Sequence, residues 1–135
     1  MQRILNKKAD VLKGVELMRV FVYGSLMKNR FNHKRYLKGQ TYLGQAVLPG
    51  YALFELSSYP GIIPDPKEKV LGELYEIDNE TLKCLDILEG NGHLYNREKV
   101  KVCLNNTKET AYVYIWNGKV RQEDKIEFYA QPWNG

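Results

Sequence analysis

Apolar positions in this chain come in short, closely spaced runs broken by turn residues, not in long helical stripes. The densest run is Val20-Phe21-Val22-Tyr23, followed by Gly24-Ser25-Leu26. Consecutive apolar and aromatic residues predict a strand buried on both faces, and Gly24 predicts a sharp turn where backbone approaches a ligand closely. Residues 42–48 and 51–56 predict two further strands separated by the turn signal Pro49-Gly50, with a bulge at Gly44. Residues 70–77 predict another. In residues 97–104, Val100, Val102 and Leu104 alternate with Lys99, Lys101 and Cys103, as in a strand with one wet face. Asn105-Asn106-Thr107 then turns it into a hairpin with residues 110–116. Beyond Asn117-Gly118 the periodicity fades.

Helical spacing is rarer. Residues 29–37 predict a short basic helix stopped by Gly39. Residues 79–88 predict a second, with Asp78 as N-cap, Glu80 in the first turn, Leu82, Leu85 and Leu88 as its buried stripe, and Gly90 at its C-terminal end. Residues 57–69 hold Pro60, Pro64, Pro66 and Gly61, a density that no helix or central strand tolerates. They predict a loop, either a plain connection or a rigid pocket wall carrying Tyr59-Pro60-Gly61-Ile62. The first 17 residues read as a short amphipathic helix or a frayed tail. About six strands and two helices without strict alternation predict the α+β class. Their spacing predicts a strongly curled, mixed or largely antiparallel sheet closing into a partial or complete barrel. The expected organisation is an N-terminal extension over residues 1–17 and a single domain over 18–135.

Composition changes this picture in two places. Tyrosine is abundant, with 10 copies against 4 Phe and 2 Trp; it suits strands, and also pockets that need an apolar wall with a polar tip. The net charge of +4 is shared between the first 17 residues, with four bases against two acids, and a nearly balanced remainder. Outside that N-terminal stretch only residues 28–38 cluster basic side chains, so nucleic-acid binding through that cluster and the tyrosines is the weakest reading. Cys84 and Cys103 have no Cys-x-x-Cys spacing, and are expected to be reduced thiols in a cytoplasmic protein. No apolar run reaches the ~18 residues of a membrane span, and the N-terminus lacks the apolar core of a secretory signal.

Few groups offer chemistry. Dinucleotide, phosphate-loop, zinc-protease and serine-hydrolase motifs are all missing. His33 and His93 stand in no ligand spacing, so no metal site is expected. Nothing in the sequence ties a base to Ser25, which argues against a nucleophile there. Glu89 breaks a local rule. With Asp86 it occupies the last turn of a helix, where the macrodipole favours bases, and Lys83 is nearly two turns back. An anion there is disfavoured, and partial burial would raise its pKa into the range of a general acid or base. On the residues alone, a solvated glutamate at a frayed end is the plainer reading.

Taken in order, these stretches resemble a family. Tyr23-Gly24-Ser25-Leu26 after an opening strand is similar to the Tyr-Gly-[Ser/Thr]-Leu loop of the gamma-glutamylcyclotransferase-like superfamily, which includes the AIG2-like proteins. Asp86-Ile87-Leu88-Glu89-Gly90 with Tyr95-Asn96-Arg97 resembles its second motif, and Tyr59-Pro60-Gly61-Ile62 its middle loop. The resemblance covers residues 18–116. It implies a barrel-like α+β fold with a cavity between glycine loop and glutamate, and cofactor-independent release of 5-oxoproline from a small gamma-glutamyl compound. By motif position it implies Glu89 as the catalytic glutamate, and Tyr23, Gly24, Ser25, Leu26, Tyr59 and Tyr95 as substrate-binding residues. The N-terminal extension departs from the family pattern, as does Pro132-Trp133-Asn134-Gly135 where relatives often carry Gly-Asp-Trp. A non-catalytic small-molecule-binding module on the same fold is the alternative.

Overall fold

A computed structural model describes residues 17–135; the expected helix or tail over the first residues lies outside them. The strands are β1 (Leu17–Val22), β2 (Thr41–Glu55), β3 (Pro60–Asp78), β4 (Tyr95–Leu104), β5 (Thr107–Trp116) and β6 (Lys125–Ile126). Among the described residues two α-helices, α1 (His33–Tyr36) and α2 (Asn79–Glu89), join them. The strands form one mixed sheet in the order β3-β1-β5-β4-β2-β6, and β2 also pairs with β3. Five strands therefore close on themselves. The ring is uneven: β2 and β3 pair along their length and so do β4 and β5, whereas β1 meets β5 in parallel at Val20↔Tyr112 and β2 meets β4 at Val47↔Cys103. This is the curled α+β sheet that the strand spacing predicts.

The run that opened the sequence reading lies at the centre. Val20, Phe21 and Val22 are buried, flanked by β3 on one side and β5 on the other. Their neighbours in the core include Leu74, Tyr75 and Ile77 of β3, Val113 of β5 and Leu85 of α2.

Four expectations change. Residues 42–56 form one strand, because Pro49-Gly50 makes a bulge and not a chain reversal: the register slips between Pro49 and Tyr51, with Gly50 at φ 86°. The bulge expected at Gly44 is present. Residues 60–69 are strand, not loop. Pro60 and Pro64 pair with Glu55 and Tyr51 of β2, and over residues 60–72 no other described strand pairs with β3. A proline is tolerated on such an edge where no ladder donor is needed. The basic helix shrinks to four residues, since the chain turns at Asn29 with φ 64° before reaching it. Finally, the aperiodic C-terminus is ordered. Trp133 is buried, its indole N–H donates to Glu55 Oε1 at 2.9 Å, and its carbonyl accepts Arg30 Nε and Nη2 at 3.0 and 2.9 Å. Among the described residues no helix is long and apolar enough to cross a membrane.

Candidate active site

Where β1 ends, the chain enters a compact turn. Met27 N–H donates to the Gly24 carbonyl at 3.1 Å, and Asn32 N–H to the Ser25 carbonyl at 2.8 Å. Asn32 repeats the contact with its side chain, Nδ2 donating to Ser25 Oγ at 2.8 Å. Among the described residues no acceptor takes the N–H of Gly24, Ser25 or Leu26, or the Ser25 hydroxyl proton. One end of the site thus offers donors. The sharp turn expected at Gly24 is present, and it needs no positive φ there. The lack of a side chain at Gly24 serves contact: a Cβ would lie 2.8 Å from Cγ of Pro60. The glycine loop and the first residue of β3 pack directly on each other.

Glu89 closes α2. Asp78 caps the helix by accepting from Thr81 N–H, Gly90 ends it at φ 60° and ψ 51°, and no base stands in its last turn. The glycine adopts the left-handed geometry needed there. Its neighbour Glu89 is half-buried, and its carboxyl makes no hydrogen bond or ion pair among the described residues. Burial pushes that carboxyl from its ordinary 4.5 up to about 7.

Three phenols surround it. Tyr23 OH donates to the Tyr114 carbonyl at 2.6 Å, Tyr95 OH to the Pro60 carbonyl at 2.8 Å, and Tyr114 OH to Asp86 Oδ1 at 2.7 Å. Burial raises all three above the usual phenol range, and the charge of Glu89 adds to the effect on each. Each hydroxyl has committed its only proton, and the Tyr23 oxygen also faces the Ile62 backbone N–H, so Tyr95 and Tyr114 are the phenols with lone pairs to offer. This end of the site therefore accepts.

The two ends share a cavity of about 280 Å³. All seven residues singled out from sequence, Tyr23, Gly24, Ser25, Leu26, Tyr59, Glu89 and Tyr95, line it. So do Asn32, Leu94 and Tyr114, which the sequence reading missed. Tyr114 lay in a predicted strand, where nothing in a period-2 pattern marks one inward tyrosine among several. Asn32 lay in the supposed helix. Among the described residues no lysine, arginine or histidine lines the cavity.

Comparison with known proteins gives one answer. The gamma-glutamyl cyclotransferase, AIG2-like family matches residues 20–135. The gamma-L-glutamyl-butirosin B gamma-glutamyl cyclotransferase of Niallia circulans is 32% identical over 130 residues, covering 90% of this chain and 80% of the relative. The gamma-glutamylcyclotransferase family protein YtfP of Escherichia coli K12 is 34% identical over 103 residues, covering 76% and 86%. Among solved structures, an AIG2-like mouse protein superposes with a TM-score of 0.69 at 24% identity, covering 81% of this chain and 82% of that one; that likeness is one of fold.

Proposed function

Because the chain belongs to the AIG2-like gamma-glutamyl cyclotransferase family, we propose that it releases 5-oxoproline from a small gamma-glutamyl compound, with Glu89 as proton shuttle. The observation that carries this reading is that one cavity is lined by both kinds of group. Among the described residues the N–H groups of Gly24, Ser25 and Leu26 and the Ser25 hydroxyl proton meet no acceptor, and the Glu89 carboxyl, raised to about 7, meets no partner beside phenols that offer lone pairs. An α-amino-acid head has the complementary layout, its carboxylate seeking donors and its ammonium seeking acceptors.

Held this way, the substrate carries its own nucleophile. Glu89 takes a proton from the α-ammonium, and the freed amine attacks the γ-carbonyl to close the five-membered lactam. The bond between γ-carbon and leaving nitrogen then breaks, Glu89 returns its proton to the departing amine, and the second proton of the ring nitrogen leaves with that amine as its ammonium, so that a neutral lactam and the Glu89 anion remain. A pKa near 7 suits a group that must both take and give a proton. Ring closure is intramolecular, and effective molarities of roughly 10⁵ M or more leave the protein mainly the tasks of folding the chain back and moving that proton. The test is incubation with a panel of gamma-glutamyl compounds, with 5-oxoproline read by mass spectrometry. Release is expected from at least one. Binding of 5-oxoproline without release from any would instead support the non-catalytic binding module.

A further inference from the structure

Asp86 stands one helical turn before Glu89, and both its carboxylate oxygens are engaged. Oδ1 accepts the Tyr114 hydroxyl at 2.7 Å, and Oδ2 accepts Arg97 Nη1 at 2.8 Å. Arg97 of β4 and Tyr114 of β5 are register partners in the sheet, so one carboxylate ties the C-terminal end of α2 to two adjacent strands. Tyr114 lines the cavity.

We propose that Asp86 is a positioning residue that fixes the direction of the Tyr114 hydroxyl. A carboxylate held by a guanidinium can only accept. Tyr114 must therefore donate to it, and must present a lone pair to the cavity. The consequence for turnover rests on the cyclotransferase reading: Tyr114 stays an acceptor, ready for an α-ammonium, and its own proton is not free to stabilise the Glu89 anion. Among the described residues, the ionisable groups around Glu89 are Tyr23 just beyond β1, Tyr59 of the β2–β3 turn, Tyr95 and Arg97 of β4, Tyr114 of β5, and Asp86 on its own helix. Of the three phenols whose protons are placed, Tyr23 and Tyr95 donate to backbone carbonyls. Tyr114 alone takes its direction from a side chain.

Asp86→Asn inverts this arrangement without changing its shape. Arg97 is a donor only, so it draws the amide oxygen, and the NH₂ group falls to Tyr114. The phenol then accepts, and its proton turns to the cavity. A donor that reaches the Glu89 anion lowers the carboxyl's pKa.

The experiment is an NMR titration of the Glu89 carboxyl in ligand-free parent, Asp86→Asn, Tyr114→Phe and the double variant. Asp86→Asn should lower the midpoint by roughly one pH unit, and the same change made in Tyr114→Phe should leave it in place. Equal shifts in both backgrounds, the mark of lost charge alone, would overturn the proposal, as would no shift in either. If Asp86→Asn does not fold, Tyr114→Phe carries the test through binding. The parent should prefer L-glutamine to glutaramate, its analogue without the α-amine, and Tyr114→Phe should narrow that preference about threefold or more. An unchanged preference would overturn the proposal. Failure of the parent to release 5-oxoproline sinks the cyclotransferase reading, while the Glu89 titration needs no substrate and is decided on its own.

Discussion

Glu89 has a pH signature that follows from its surroundings. Burial raises its carboxyl from 4.5 to about 7, so between those values the folded protein holds a proton that the unfolded chain has released. Its contribution to stability is complete below the lower value and is lost as pH rises through the higher one. Glu89→Gln removes that dependence. The melting temperature of the parent should decline from pH 4.5 to 7 more than that of the variant, leaving the variant the more stable protein above 7. Activity should move the other way. The parent's kcat/KM should climb through pH 7 as the basic form fills, and Glu89→Gln should lose roughly 10²–10⁴ in rate. Parent-like 5-oxoproline release by the folded variant would sink the shuttle. Ser25 is expected to act on binding. Its hydroxyl takes the Asn32 amide as acceptor and keeps its proton for the ligand, so Ser25→Ala should raise KM about tenfold through loss of one bond to a carboxylate, with kcat little changed. An unaltered KM would remove the hydroxyl from the site.

At the scale of elements, legibility in the sequence followed how local the cause was. Helix α2 was readable almost to the residue, because its cap, leucine stripe and terminal glycine are all contained in residues 78–90. Both of its motif carboxylates were legible too, but not that Asp86 is held by Arg97 and Tyr114, since those partners arrive from two other strands. The proline-rich strand was misread because its tolerance depends on which side of it lies empty, a property of the sheet. The C-terminal segment was illegible for the same reason. Trp133 is 6% exposed and its carbonyl is held by the Arg30 guanidinium, yet no periodicity announces a single inserted indole. This contact straps the end of the chain onto the turn that follows the glycine loop. Trp133→Ala should cost about 3–5 kcal/mol through the lost burial, measured by denaturant unfolding. Arg30→Met keeps the indole and removes the grip, so it should cost less stability while weakening substrate binding. Equal KM in parent and Arg30→Met would show that the loop holds its shape without the strap.

The whole molecule is a ring whose closure depends on β1. That strand pairs with β3 from Leu17↔Asp78 to Val22↔Glu73 and meets β5 at Val20↔Tyr112. Just beyond it, the Tyr23 hydroxyl bonds the Tyr114 carbonyl across the same seam at 2.6 Å. The cavity opens beside this seam, with Val22 and Tyr23 on one side and Tyr114 on the other, so the integrity of β1 bears on stability and on the site together. Among the described residues, the elements that hold β1 all lie downstream of it. A chain beginning at Met18 keeps the register from Met18↔Ile77 onward, the Val20↔Tyr112 bridge and the Tyr23 bond; it loses Leu17↔Asp78, a terminal pair of the kind that frays. Such a chain is expected to melt within a few degrees of full length, the effect of about 1 kcal/mol in a domain of this size, and to release 5-oxoproline at the parent rate. A fall of ten degrees or more, or loss of turnover with the melting temperature unchanged, would show that the first 17 residues pack on the sheet or complete the cavity, and residues 18–135 would no longer stand as the functional unit.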